Sequence, residues 1–433
     1  RHFRYEALEP ALRHAEQAAA LMRRIGHGVE VANACRIAGR MRLVAGHFEL
    51  AEQHYRHALA VPPTAAESGT GLQVNSHAEL AEALLKQGRQ AEAEQHARTA
   101  LEVSSRIHGP EHRWTMVIKL RLANQLLAGG SSSEAMALRA EVEQALADER
   151  GEYDSQFRAD MASMLSFALV DRGRPDLAEP LQRLDHEDLR QNFANSYVLA
   201  ACEAALAEVA LTYGRYAQAQ SLLEGARIVW QRYAGGQAEP VSSANYTIVG
   251  TRLAMVRGDF DKAWACVAAD TLPTTAARGR FHRDTVRWVL EKVRVQIARG
   301  FAAEAAALAD GEWQALRRQL GPRQLPDSEA KLLLARAQAR RALGDAIGAL
   351  ADLRAALALR RPHDDSASLW LAELLVTLAE ALADGAADGV ADLSARAEAA
   401  ACLAEAAEIH AQHPPLAAHL AAAPVRARQR WGL

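Results

Sequence analysis

The sequence predicts an all-α chain built from stacked helical hairpins, and three observations carry that reading. The first is composition. Of 433 residues, 50% are apolar and only 5% aromatic, and alanine is abundant throughout. Strong helix formers with few β-branched or aromatic residues favour helices over strands. The second is a recurring glycine at Gly46, Gly88, Gly130, Gly173, Gly214, Gly258, Gly300 and Gly344, spaced by 42, 42, 43, 41, 44, 42 and 44 residues. The third is an alanine five residues after each of them: Ala51, Ala93, Ala135, Ala178, Ala219, Ala263, Ala305 and Ala349. Even in an alanine-rich chain, this unbroken match marks a structural repeat.

The spacing has a physical reading. A helical pattern precedes each glycine and another follows it, as in CRIAGRMRLVAG and HFELAEQHYRHALAV. The glycine ends the first helix, A, at a turn whose positive φ is cheap only without a Cβ. The alanine sits on the second helix, B, where it crosses A. A larger side chain there would spread the pair, because interaxial distance follows side-chain size. One hairpin cannot bury its own apolar face, so neighbours must stack on it.

Taken in order, residues 1–29 read as helix B of a preceding repeat whose turn and helix A are missing, and the chain begins at Arg1 rather than Met. That start predicts further sequence upstream. Residues 30–365 hold eight repeats. In the fourth, Pro180 and Asp185 fall where apolar residues are expected, which predicts a kink or an irregular hairpin. Residues 366–433 hold a degenerate ninth hairpin, interrupted by ADGAADGVAD, and a C-terminal cap ending near Trp431. The turn-rich stretches Tyr233–Ser243 and Asp270–Arg280 fall between hairpins and read as junctions within one solenoid.

The repeat resembles the tetratricopeptide repeat. In the first full unit Gly39, Gly46, Phe48, Ala51, Tyr55, Ala58, Leu59 and Pro63 match that motif. The second supplies Ala81, Leu84, Gly88, Ala93, Ala97, Ala100 and Leu101; the eighth supplies Ala337, Gly344, Ala349, Leu353, Ala356 and Leu357. The period of about 42 and the connectors Ile107–Thr115 (IHGPEHRWT) and Leu320–Ser328 (LGPRQLPDS) are similar to the long variant in kinesin light chains and bacterial signalling proteins. The resemblance implies a right-handed superhelical solenoid of about eight to nine antiparallel hairpins. It also implies that helix A lines a concave groove where partners bind. Repeats of this type commonly follow a Ser/Thr kinase domain or the winged-helix domain of a transcriptional regulator.

By repeat register, the groove candidates are Asn33, Arg36, Arg40, Asn75, Glu82, Lys86, Asn124, Arg252, Arg287, Arg294, Lys331, Gln338 and Arg341. The later set is almost entirely basic, which predicts a groove that attracts acidic peptides, terminal carboxylates or phosphorylated segments. Trp114, Trp230, Trp264, Trp288, Trp313 and Trp370 read as packing between hairpins, with Trp288 also beside a groove position.

Overall charge is −3, from 50 basic and 53 acidic residues, and aromatic interleaving is absent, so no nucleic-acid partner is expected. No run of apolar residues is long enough to span a membrane. Cys35, Cys202, Cys266 and Cys402 are dispersed, with no CxxC pair, and read as small core residues of a cytoplasmic protein. His54 with His57, and His108 with His112, have helical spacing but no third ligand nearby, so no metal is expected. There is no GxxxxGK[ST] phosphate loop, GxSxG elbow, HExxH or kinase signature, and therefore no catalytic or cofactor-binding residue is assigned. The expected function is a non-catalytic protein-interaction scaffold, with a docking or sensor role beside an upstream kinase or DNA-binding domain as the alternative.

Overall fold

The computed structural model describes residues 8–25, 28–44, 47–61, 67–87, 89–129, 132–147, 161, 165–166, 169–170, 172–192, 194, 197–233, 244–268, 283–321, 325–362, 364, 366–385 and 393–431. Among them are nineteen helices and no strand. The chain divides into two compact units. Unit 1 holds α1 (Leu8–Ile25), α2 (Gly28–Val44), α3 (Phe48–Ala60), α4 (Glu67–Lys86), α5 (Gln90–His108), α6 (Arg113–Gly129) and α7 (Ser132–Ala147). Unit 2 begins with α8 (Pro175–Asn192), α9 (Tyr197–Thr212), α10 (Tyr216–Tyr233), α11 (Ala244–Val256), α12 (Phe260–Val267) and α13 (Arg283–Ala298). It continues with α14 (Ala302–Leu320), α15 (Pro326–Ala342), α16 (Ala346–Arg360), α17 (Leu369–Gly385), α18 (Leu393–Ala411) and α19 (Ala418–Trp431).

The hairpin turns form as the glycine spacing requires. Gly173, Gly214, Gly258, Gly300 and Gly344 have φ of 71°, 70°, 74°, 86° and 81°. Each closes a Schellman motif. At Gly258 the glycine N–H donates to Met255 O at 3.0 Å and the next amide, Asp259, to Ala254 O at 3.0 Å. Where aspartate follows the glycine it also starts helix B: Asp259 Oδ1 accepts from Lys262 N at 3.0 Å and Asp345 Oδ1 from Gly348 N at 2.8 Å. Gly46, Gly88 and Gly130 lie outside the described residues, as do most of the two turn-rich junctions and most of the insertion before α18.

Each of the eight repeat alanines is buried at the crossing of its hairpin, none more than 1% exposed. In unit 1 they join Tyr55, Leu80, Leu84, Leu122 and Leu126 in a single core. In unit 2 the same role falls to Ala207, Ala210, Leu211, Ala219, Leu223, Val249 and Leu253 at the junction of α9, α10 and α11. The helix α8 runs on through Pro180, and Asp185 is buried rather than replaced by an apolar residue.

In a simple solenoid each hairpin touches only its neighbours. In unit 2 the last hairpin also meets the turns that begin the unit. Leu369 N at the head of α17 donates to Gly173 O at 3.0 Å, and Ala417 N, just before α19, donates to Thr212 O at 2.8 Å.

Candidate partner-binding site

In unit 1 the candidate positions share one face of α2, α4 and α6. Arg36 and Arg40 are one turn apart on α2. Asn75, Glu79, Glu82 and Lys86 follow the same stripe on α4, and Arg121 and Gln125 on α6. Glu79, which register analysis did not single out, is the centre of this face. Its Oε1 accepts from Arg36 Nη1 at 3.0 Å and lies 4.0 Å from Arg40 Nη1. Burial pushes its carboxyl above the ordinary range, even against Arg36, Arg40 and Arg121. Arg36 also reaches Asn33 Oδ1 at 3.4 Å, and Asn75 Nδ2 donates to Gly71 O at 3.0 Å within its own helix. Arg40 is 59% exposed at its side chain and stands at the rim. The side chain of Asn124 lies outside the described residues.

Several buried polar atoms on this face have no protein partner: Arg36 Nε, Glu79 Oε2, Ser76 Oγ, Arg121 Nη1 and Gln125 Oε1. Beneath them the Tyr55 hydroxyl, also without a partner, sits near enough to Glu79 and Glu82 that they and its burial push the phenol upward. Each such group carries a desolvation cost of about 1–3 kcal/mol unless something pairs with it. The set contains both donors and acceptors.

Unit 2 differs. Arg252 donates to Glu208 Oε1 at 3.0 Å through Nη1 and to Glu291 Oε1 at 2.8 Å through Nε. Arg287, only 2% exposed, donates to Glu208 Oε1 at 2.5 Å and to Asn245 Oδ1 at 2.9 Å. Arg294 pairs with Glu291 at 2.9 Å, reaches Gln338 at 3.3 Å, and bonds to Glu373. Arg341 bridges Asp384 and Glu380, both at 2.8 Å, and buried Lys331 holds Asp327 at 2.8 Å. Burial raises the Glu291 carboxyl, but Arg252 and Arg294 outweigh it and hold it below the ordinary range.

The basic groove expected from Arg252, Arg287, Arg294, Lys331 and Arg341 is therefore charge-balanced by its own carboxylates. Register identified the arginines. It could not find Glu208, Glu291 and Glu373, because two of the pairs join helices two hairpins apart. Trp288 is buried next to Arg287, where Lys292 Nζ lies 4.9 Å from its ring centre. Trp114, expected between hairpins, is instead 55% exposed. His108 and His112 stack at 4.9 Å between ring centres, and among the described residues no three His, Cys, Asp or Glu side chains gather as a metal site. Among the described residues no helix is long and apolar enough to cross a membrane.

No protein-family model matches the sequence, and no curated protein does. Solved structures do. The chain is similar to a Rap protein complexed with competence and sporulation factor, at 15% identity and TM-score 0.51, over 82% of this chain and 95% of that one. It is also similar to the apo quorum sensor NprR from B. thuringiensis, at 13% identity and TM-score 0.46, over 82% and 96%. The Cut9–Hcn1 hetero-tetramer of APC/C aligns at 14% identity and TM-score 0.47, over 98% and 78%. Helical hairpins closed by Schellman glycines and pinned by crossing alanines, together with the Rap likeness, give this chain the fold of the tetratricopeptide-repeat proteins.

Proposed function

We propose that the chain is a non-catalytic protein-interaction scaffold whose partner-binding face is the α2–α4–α6 face of unit 1. The observation that carries this reading is the set of buried polar atoms there without a protein partner. On the equivalent face of unit 2 Arg252, Arg287, Arg294 and Arg341 are each paired with carboxylates of the chain, so it offers a partner fewer open cations. A set with both donors and acceptors suits the amides of a polypeptide segment better than an anion alone. The Rap protein, complexed with competence and sporulation factor, is a precedent for ligand binding on this fold. The dispersed cysteines, Cys35, Cys202 and Cys402 among them buried, fit a cytoplasmic setting.

The test is a displayed random-peptide library panned against the full chain, with Kd measured for the enriched peptides. Arg121→Ala, Gln125→Ala and Ser76→Ala should each weaken binding by roughly tenfold, the scale of one buried hydrogen bond. Peptides that bind all three variants as tightly as the parent place the site elsewhere. Placement of the scaffold behind a Ser/Thr kinase or a winged-helix domain rests on the resemblance of its repeats to those of bacterial signalling proteins, the connectors Ile107–Thr115 and Leu320–Ser328 favouring the kinase, and is tested by reading the coding sequence upstream of Arg1.

A further inference from the structure

Two of the recurring glycines in unit 2 do more than end a helix. A Cβ on Gly258, Gly300 or Gly344 would meet open space, with nothing within 4 Å. A Cβ on Gly173 would stand 2.7 Å from Leu369 N and 2.8 Å from Trp370 N, and one on Gly214 would stand 3.3 Å from Ala417 Cα. These are the turns on which the distal end of the unit docks. The docking atoms come from α17 and from the segment Gln412–His419, which runs from the end of α18 into the first turn of α19.

That segment is anchored at several points. The His413 side chain is fully buried. Its Nε2 lies 2.7 Å from Ala367 O; a carbonyl only accepts, so Nε2 carries the proton. Its Nδ1 faces Asp176 Oδ1 of α8 at 3.4 Å, and Asp176 is itself held by Arg174 at 2.7 Å. Ala417 N donates to Thr212 O, and His419 Nδ1 lies 3.3 Å from the Tyr216 hydroxyl. On the inner face, meanwhile, the ion pairs Arg287–Glu208 and Arg294–Glu373 span 79 residues each, skipping the intervening hairpin. A reach of two hairpins needs tight curvature, and the distal docking supplies it.

We propose that Gln412–His419 is a latch that holds unit 2 closed and keeps its inner arginines engaged with Glu208, Glu291 and Glu373. With the latch seated, that face is occupied by the chain's own side chains. This reading concerns unit 2 and stands apart from the binding face assigned to unit 1.

The test is amide hydrogen exchange on the full chain, comparing wild type with His413→Ala and Ala417→Pro. The proline removes the N–H donated to Thr212 and adds ring carbons at a buried position against the Gly214 turn, so it attacks the docking contact twice. Exchange should quicken by roughly tenfold or more in α13, which makes none of the segment's contacts, while α4 and α5 of unit 1 keep their wild-type protection. Tyr216→Phe, which removes only the hydroxyl facing His419, should give the same pattern at smaller size. It serves as the readout if either stronger variant loses its fold. Faster exchange confined to Gln412–Trp431 would make the segment a simple end cap, and unchanged exchange in all three variants would remove it as a latch.

Discussion

The ring of Tyr55 on α3 fills the space that a side chain at Gly39 on α2 would need: a Cβ there would stand 2.8 Å from Tyr55 Cε1. Tyr55 is fully buried, so its ring has nowhere to retreat. Gly39→Ala gains about 1 kcal/mol of helix propensity and loses about 1–3 kcal/mol to overpacking. The expected balance is a lower urea midpoint followed by helical circular dichroism. Tyr55→Phe keeps the ring and removes a hydroxyl that has no protein partner, so it should be neutral or stabilising. A Gly39→Ala variant that melts with wild type would show that the ring does not depend on the glycine.

The His77–His96 pair predicts acid sensitivity in unit 1. Their Nδ1 atoms are 3.0 Å apart, so one ring donates and the other accepts, an arrangement that needs at least one neutral ring. Burial, with His96 beside it, lowers His77 to about 4. Burial lowers His96 as well, with Arg56 adding to it and Glu92 and Glu52 opposing. A histidine whose folded pKa lies below its unfolded value loses its stabilising contribution as pH falls. For His77 the window runs from the ordinary histidine value near 6.5 down to about 4. The urea midpoint should drop across that window, and His77→Gln should flatten the drop. An equally steep fall in the variant would assign the sensitivity to other groups.

The crossing alanines predict a size limit that is the same in both units. Ala51→Leu, Ala93→Leu and Ala349→Leu each insert three carbons between helices already in contact, at a cost of about 1–3 kcal/mol. Thermal melts of the three single variants measure it. Wild-type melting in all three would mean that these alanines do not mark the crossings.

Those alanines and the Schellman glycines were legible because their constraint is local: a helix crossing and a positive φ act within a few residues. Glu79 was harder to see. One apolar-to-acid difference on α4 carries no period, and only the approach of α2 and α6 shows that Arg36, Arg40 and Arg121 converge on it. The balance of charge on the inner face of unit 2 was out of reach. It depends on curvature, which accumulates from a small rotation at each hairpin, and a register count treats every hairpin alike. The same holds for His413, whose partners Asp176 and Ala367 are brought to it only by closure of the unit.

Read as a free cationic groove, unit 2 would tolerate Arg287→Glu, Arg294→Glu and Arg341→Glu together and lose only an acidic ligand. The ion pairs predict otherwise. Arg287 and Glu208 are both almost fully buried, and removing one member of a buried pair costs about 3–5 kcal/mol because the other charge is stranded. Arg287→Ala alone should therefore destabilise unit 2 strongly, while Arg287→Met with Glu208→Met should recover much of the loss by removing both charges and keeping volume. The triple glutamate variant sets new carboxylates against Glu208, Glu291, Glu373 and Glu380 and should unfold the unit. Limited proteolysis reads this out directly: cleavage should spread through α9–α17 while α2–α6 stay protected. A triple variant as resistant as wild type would mean that the pairs hold nothing, and that the arginines are available to a partner after all.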